Sequence, residues 1–445
     1  MLPELFKTAW ALPSCFAFQP DVPASCAPEI KGDQGSQTLV ESHVERYNPL
    51  YYAIVGLPSL LPLSEWTLVG MRLMSALLNA LLIACGVRVL AGLRRPSLPT
   101  LGFLAALTPM TMFIGGSITP QGPEIFGAAT ATVTLLAMFF QPDRALLRER
   151  LWILAVSVLF FVMARGLSPV YLALILAGTI LVAPRVGAVV EVLKERSSWV
   201  PVLVCVVLTG GAGLYTLFSG SLALGVVFPD PALTAREVVV QMLRSTDYYL
   251  EQVLGTFGWG DTHLPMWVLQ FIGGVAFTVG LLGMASGRWR QRVVVVIALL
   301  LAILVPIGVQ LMSFRESGMV WQGKYVLPLA MLVPLMCGFI AAEPQQRKRP
   351  QAAILGMGAA AVAFAQIVSV AVNIHRYANG ANGPWLAVID DPWTPLVPVF
   401  VVMAAEVLAW VLIVILVRRF RERPIAVVPD DAASSDEVEL GTSSS

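Results

Sequence analysis

Two carboxylates, four basic side chains and one indole stand beside Pro/Gly turns at the edges of apolar runs, where chemistry is possible. Thr119-Pro-Gln-Gly-Pro-Glu124 offers Glu124 at the start of a helix, the end whose positive dipole supports an anion. Gly258-Trp-Gly-Asp261 couples the Trp259 ring to the Asp261 carboxylate, and Ala164-Arg-Gly-Leu-Ser-Pro169 puts Arg165 in a tight hairpin between two apolar runs. A charge that close to lipid usually has a partner or a ligand. Ser313-Phe-Arg-Glu316, Gln322-Gly-Lys-Tyr325 and Asn373-Ile-His-Arg-Tyr377 add Arg315, Lys324 and Arg376. Basic groups of this kind can hold a lipid-linked phosphate, and a nearby carboxylate can take a proton from an attacking hydroxyl. Each residue singly also fits the plainer role of interfacial anchor or internal ion pair.

Other patterns carry less. Gly318-Met-Val-Trp-Gln-Gly-Lys324 has the spacing of a phosphate-binding loop, but Tyr325 stands where Ser or Thr should meet magnesium and no buried strand precedes it. Gly356-Met-Gly358 lies inside an apolar run, where small residues serve close helix contact. His43, His263 and His375 are far apart and lack zinc spacing, and no Gly-x-Ser-x-Gly elbow occurs. No cofactor is identified, while a carboxylate-bound divalent cation stays open. Glu406 differs from the rest because it falls near the middle of an apolar run. An intramembrane acid there is either a proton-coupling site or a hydrogen-bonded carboxyl facing something like Gln366 or Arg72.

The elements that must position these residues are membrane helices. The sequence is 57% apolar and only 13% charged, against roughly 25% charged in soluble domains. Its mean hydropathy is +0.76. The apolar residues gather into runs long enough as helices to cross a hydrocarbon core of about 30 Å. The reading is an all-α polytopic membrane protein with eleven spans, near 66–92, 100–118, 122–141, 150–164, 168–184, 199–218, 265–287, 293–312, 325–342, 352–372 and 396–417. Near-balanced charge, 29 basic against 28 acidic residues, excludes a nucleic-acid partner.

Alternate connections collect the cations: Arg94 and Arg95, Arg144 to Arg150, Arg185 to Arg196, Arg288 to Arg292, Arg347 to Arg349, and Arg418 to Arg423. The positive-inside rule makes that side cytoplasmic and the membrane the cytoplasmic (inner) one. Residues 1–65 are then an external segment, 66–218 and 265–423 two transmembrane bundles, 219–264 an external loop, and 424–445 a disordered cytoplasmic tail. An external start without a leader pattern predicts a further span upstream of Met1, making twelve. Cys15 and Cys26 are close enough for an external disulfide worth roughly 3 kcal/mol, or are two unpaired thiols. In the external loop, Thr234-Ala-Arg-Glu237 is a capping-box pattern followed by apolar residues at helical spacing from Val238 to Leu254. It predicts an amphipathic helix on the outer membrane surface.

Tyr47-Asn-Pro-Leu-Tyr-Tyr52, Arg72-Leu-Met-Ser-Ala76, Leu107-Thr-Pro-Met-Thr111, Gly116-Ser-Ile-Thr-Pro-Gln-Gly122, Glu124, Phe257-Gly-Trp-Gly-Asp261 and Gln322-Gly-Lys-Tyr325 occur in that order. The ordered set resembles the bacterial membrane proteins grouped as domain of unknown function 2142, over most of residues 45–380. That family is in turn similar in layout to the GT-C membrane glycosyltransferases, which use polyprenyl-phosphate sugars at the external face. The resemblance implies a first span and an external acidic motif upstream of residue 1. It also implies departures: Thr119 and Gln121 stand where the family shows Asn and Asn or Asp, and Lys324 replaces an Arg, which keeps the charge but loses the bidentate fork.

Under this resemblance the expected function is transfer of a sugar from a polyprenyl-phosphate donor to an envelope glycan or lipid. Arg165, Arg315, Lys324 and Arg376 bind donor phosphate, Trp259 stacks on a sugar face, and Glu124 or Asp261 orients or deprotonates the acceptor. Two other readings stay open: a lipid-linked sugar flippase or proton-coupled transporter built around Glu406, and a non-catalytic assembly partner.

Overall fold

A computed structural model describes residues 1–30, 35–40, 46–221, 232–343, 351–385 and 396–420. The expected tail at 424–445, the cations Arg347, Lys348, Arg349, Arg421 and Arg423, and His43 lie outside the described residues.

The chain begins with β1 (Leu2–Pro3) and helix α1 (Glu4–Ala11), then β2 (Gln37–Thr38), antiparallel to β1, and α2 (Pro49–Val55). Next come α3 (Glu65–Ala91), α4 (Ser97–Ala106), α5 (Pro109–Gly115), α6 (Gln121–Phe140), α7 (Arg144–Val162), α8 (Ser168–Val182), α9 (Val186–Lys194) and α10 (Trp199–Ser219). Two helices, α11 (Ala235–Arg244) and α12 (Thr246–Gly255), lead into a hairpin of β3 (Thr256–Phe257) and β4 (Thr262–His263). The last group is α13 (Met266–Ser286), α14 (Trp289–Ser317), α15 (Leu327–Ala330), α16 (Leu332–Ala341), α17 (Gln351–Asn379) and α18 (Val399–Arg418).

Among the described residues, eight helices are long and apolar enough to cross a membrane, or up to ten when each bent pair counts as one span. The protein is an all-α polytopic membrane protein. The one expected span outside that count, near 150–164, is α7, which carries Arg144, Arg148, Glu149 and Arg150 in its first two turns, too many charges to be counted.

The expected span at 100–118 is broken rather than straight. α4 and α5 meet at 69°, because Pro109 lacks an N–H and disfavours helix at the residue before it. The break is satisfied rather than left open: the Gln366 Nε2 donates to the Leu107 carbonyl at 2.8 Å, and the Thr108 hydroxyl donates to the Val253 carbonyl at 2.8 Å. An unpaired carbonyl in the apolar interior would cost far more than either bond returns.

α6 is almost wholly enclosed, whereas α10 and α18 are almost wholly open at their surfaces. α4 packs against α13, α16 and α17, so the two halves of the chain interleave across residue 218. Glycines permit that approach: a Cβ on Gly102 would meet the Pro334 carbonyl at 2.5 Å, and one on Gly338 the Leu98 carbonyl at 2.6 Å. The expected single amphipathic helix is two, α11 and α12. The capping box forms as the sequence predicts, with the Thr234 N–H donating to Glu237 Oε2 at 2.9 Å and the Glu237 N–H to the Thr234 hydroxyl at 3.3 Å. Its apolar face is covered by protein, with Val238 and Met242 packed on Ile307 and Phe314 of α14.

The two ends of the bundle differ chemically. At one end Arg150 Nη1 donates to the carbonyls of Ala137 at 3.1 Å and Gln141 at 2.8 Å, Arg288 to that of Pro184 at 3.0 Å, and Arg290 to that of Ala183. These cations cover the C-terminal, negative ends of α6 and α8. The N-terminal, positive ends of the same helices open at the other end, where the candidate site lies.

Candidate functional site

Glu124 sits in the first turn of α6, 1% exposed. The Ser168 hydroxyl, in the first turn of α8, donates to its Oε1 at 2.8 Å. Arg165, on the α7–α8 connection, places Nη1 3.6 Å from Oε2, an ion pair slightly longer than a hydrogen bond. Oε2 has no hydrogen-bond donor among the described residues. The Arg165 guanidinium lies 4.6 Å from the centroid of the Tyr325 ring, and the Lys324 ammonium 5.9 Å from the same centroid, both within cation–π reach. Lys324 forms no ion pair with a described carboxylate. Arg165 therefore pairs with Glu124 where the positive ends of α6 and α8 converge, and Lys324 adds a second cation beside the same Tyr325 ring.

The segment carrying Lys324 and Tyr325 is fixed through its backbone. The Gly323 N–H donates to Gln252 Oε1, the Lys324 carbonyl accepts from Gln121 Nε2 at 2.7 Å, and the Tyr325 carbonyl accepts from the Tyr171 hydroxyl at 3.0 Å. Three helices thus consume the backbone polar groups and leave the side chains to face Arg165. Gly323 is required because a Cβ there would collide with the Tyr249 carbonyl of α12.

The turn before Glu124 is held equally tightly. Three polar side chains of α3 bind its carbonyls: Arg72 Nε to Gly116 at 2.8 Å, Ser75 Oγ to Ser117 at 2.8 Å and Asn79 Nδ2 to Gly115 at 2.9 Å. Tyr51 shares a hydrogen bond with Ser75 at 3.0 Å, and burial pushes its phenol up to about 12, so it stays neutral. Sequence reasoning gave Ser75 and Asn79 no role of their own. Their signal was present, because positions 72, 75 and 79 fall on one face of an otherwise apolar helix. Beside Arg165 a narrow cleft with room for about one water molecule is lined by Tyr47, Asn48, Met163, Ala212 and Tyr215.

Asp261 and Arg376 form a separate cluster. They meet each other, Arg376 Nη2 to Asp261 Oδ2 at 3.0 Å, with side chains 1% and 8% exposed. The same guanidinium donates to the carbonyls of Val22 at 2.8 Å, Gln19 at 3.0 Å and Phe16 at 3.1 Å. The other Asp261 oxygen accepts from the Thr262 hydroxyl at 3.1 Å. Cys15 and Cys26 form the disulfide that closes the segment held by Arg376. Trp259 is half exposed between Gly258 and Gly260, whose positive φ values of 60° and 82° suit residues without a Cβ. Its ring lies 5.6 Å from that of Phe18.

The remaining candidates stand apart. Arg315 is exposed near the C-terminus of α14, with its guanidinium 5.7 Å from the Phe314 ring centroid. Glu406 accepts from Trp410 Nε1 at 2.8 Å, one turn along α18. Gln366 and Arg72, considered as its partners, bind backbone carbonyls elsewhere. Among the described residues, no group of three or more His, Cys, Asp or Glu side chains is placed to hold a metal ion.

Comparison with known proteins adds one finding. No curated protein and no solved structure matches the chain. A family model described as "Predicted membrane protein (DUF2142)" matches residues 5–333, starting earlier and ending sooner than the expected 45–380. With that match spanning well over half of its length, the chain belongs to the DUF2142 family of membrane proteins.

Proposed function

We propose that the protein is a membrane glycosyltransferase that takes a sugar from a polyprenyl-phosphate donor at the external face of the cytoplasmic membrane, for envelope glycan or glycolipid assembly. The observation that carries this reading is a surplus of positive charge around the Tyr325 ring: Arg165, ion-paired to Glu124 at the converging N-termini of α6 and α8, and Lys324, which pairs with no described carboxylate. Such an arrangement favours a phosphate, which helix N-termini and paired cations bind without added positive charge.

In this reading Arg165 and Lys324 neutralise the donor phosphate as the bond between it and the sugar C1 breaks. The phosphate keeps the bonding electrons and stays on its lipid. Glu124 Oε2, free of hydrogen-bond donors, accepts the proton of the acceptor hydroxyl whose oxygen forms the new bond to C1. Asp261 is less suited to that step, since both of its oxygens are already hydrogen-bonded. Lys324 supplies a point charge where a fork would fix orientation, so Arg165 sets the geometry.

The test is transfer of a radiolabelled sugar from polyprenyl phosphate to endogenous acceptors by full-length protein in lipid. Glu124→Gln should lower turnover by about 10² to 10⁴ with donor binding kept. Turnover equal to wild type would end the assignment of Glu124.

A further inference from the structure

Phe18 is the one non-glycine residue with positive φ among the described residues, at 61°. A bulky side chain rarely adopts that conformation, and it persists only where surrounding bonds over-determine it. Those bonds are present on both sides. Arg376 holds the carbonyls of Phe16, Gln19 and Val22, the Ala381 N–H donates to the Pro20 carbonyl at 2.7 Å, and Asn382 donates twice to Asp21 Oδ1, at 3.2 and 2.9 Å. The disulfide closes the same segment.

This scaffold does not bury the ring it strains. Phe18 is 71% exposed, and the ring it meets, Trp259, is 49% exposed on a turn set by two left-handed glycines. Arg376 joins the two loops underneath, binding the carbonyls around Phe18 and the carboxylate of Asp261, two residues after Trp259. Backbone strain and a buried ion pair are thus used to fix two aromatic rings at the protein surface, an arrangement that gains little for folding. It is preorganisation for a ligand with an apolar face.

We infer that Phe18 and Trp259 form a stacking platform for a neutral sugar ring of the glycan acceptor. The C–H face of a sugar carries partial positive charge and complements the negative faces of aromatic rings. Polar groups that suit sugar hydroxyls stand around the platform: the Tyr248 hydroxyl lies beside Gly260, and Gln19 and Asp21 are exposed next to Phe18. That exposed carboxylate argues against the hydrocarbon layer as the rings' surroundings; the headgroup layer, where aromatic rings also gather, is the rival occupant. Only the word acceptor rests on the transferase reading; sugar binding at these rings stands on their geometry.

The experiment is saturation-transfer NMR and calorimetry on the full chain in nanodiscs, with four neutral linear hexasaccharides of glucose, mannose, galactose and arabinose. At least one should bind, and Trp259→Ala and Phe18→Gly should each weaken it about tenfold or more. Phe18→Gly removes the ring while relieving the positive φ, so its thermal midpoint should not fall below that of wild type. Trp259→Phe should retain most of the affinity. No binding of any hexasaccharide at about 10 mM, or wild-type affinity in both ring-deleted variants, would overturn the platform. So would quenching by brominated lipid of the fluorescence that Trp259→Phe removes, because it would put the ring in the bilayer. The measurement contains no donor, so its failure and that of the transferase reading are separable.

Discussion

Replacing Arg376 by Ala should release the N-terminal disulfide segment while leaving the helical bundle folded. The guanidinium is 1% exposed, pairs with an Asp261 carboxylate that is 8% exposed, and serves three carbonyls of residues 16–22. Its removal leaves a carboxylate and three carbonyls facing a cavity, and breaking a buried pair from one side costs about 3–5 kcal/mol. The segment lies at the periphery and can escape that cost by undocking, which also relaxes the Phe18 backbone, itself strained by about 1–3 kcal/mol. The undocked fraction should therefore rise by roughly a hundredfold to several thousandfold. Amide hydrogen exchange of residues 14–26 reads this directly: protection should collapse in Arg376→Ala and persist in α6 and α16. Arg376→Lys, which keeps the charge without the fork, should be intermediate. Unchanged protection of residues 14–26 in Arg376→Ala would refute the reasoning.

Three further outcomes follow from other contacts. Hydrogen bonds from Thr234 hold the Glu237 carboxyl below the usual carboxylate range. The capping contribution is thus complete above the ordinary value of about 4.3 and is lost as pH falls through the depressed one. Amide exchange in the first turn of α11 should accelerate below that range, and Glu237→Gln should remove the pH dependence. Gly323→Ala should lower the thermal midpoint, through about 1–3 kcal/mol of overpacking against α12, and weaken donor-lipid binding by displacing Lys324. Glu406→Gln should leave polyprenyl-phosphate binding unchanged, because the amide oxygen still accepts from Trp410; abolished proton-coupled transport in that variant would favour the transporter reading.

The helices were legible because each is an apolar run long enough to cross the hydrocarbon core, whereas the span expected at 100–118 passed over the break signal in Thr108-Pro109. Glu124, Arg165 and Lys324 were legible as types beside turns. Their convergence was not, because it depends on how α6, α8 and the turn before α15 pack, about 200 residues apart in sequence. Likewise nothing local marks Arg376 as the partner of Asp261 and the anchor of residues 16–22: a cation at a helix end reads alike whether it meets a ligand or three carbonyls. The strain at Phe18 had no sequence signal, since Phe carries no preference for positive φ.

The central claim is that Arg165 and Lys324, the cations beside the Tyr325 ring, hold a lipid-linked phosphate. Its most direct test is equilibrium binding of polyprenyl monophosphate to the full-length protein in nanodiscs, wild type against Lys324→Ala, read by native mass spectrometry. Loss of one charge-assisted contact, about 1.5–3 kcal/mol, predicts affinity lower by roughly tenfold to a hundredfold or more. Equal affinity in the two proteins, with matched thermal midpoints, would contradict the account.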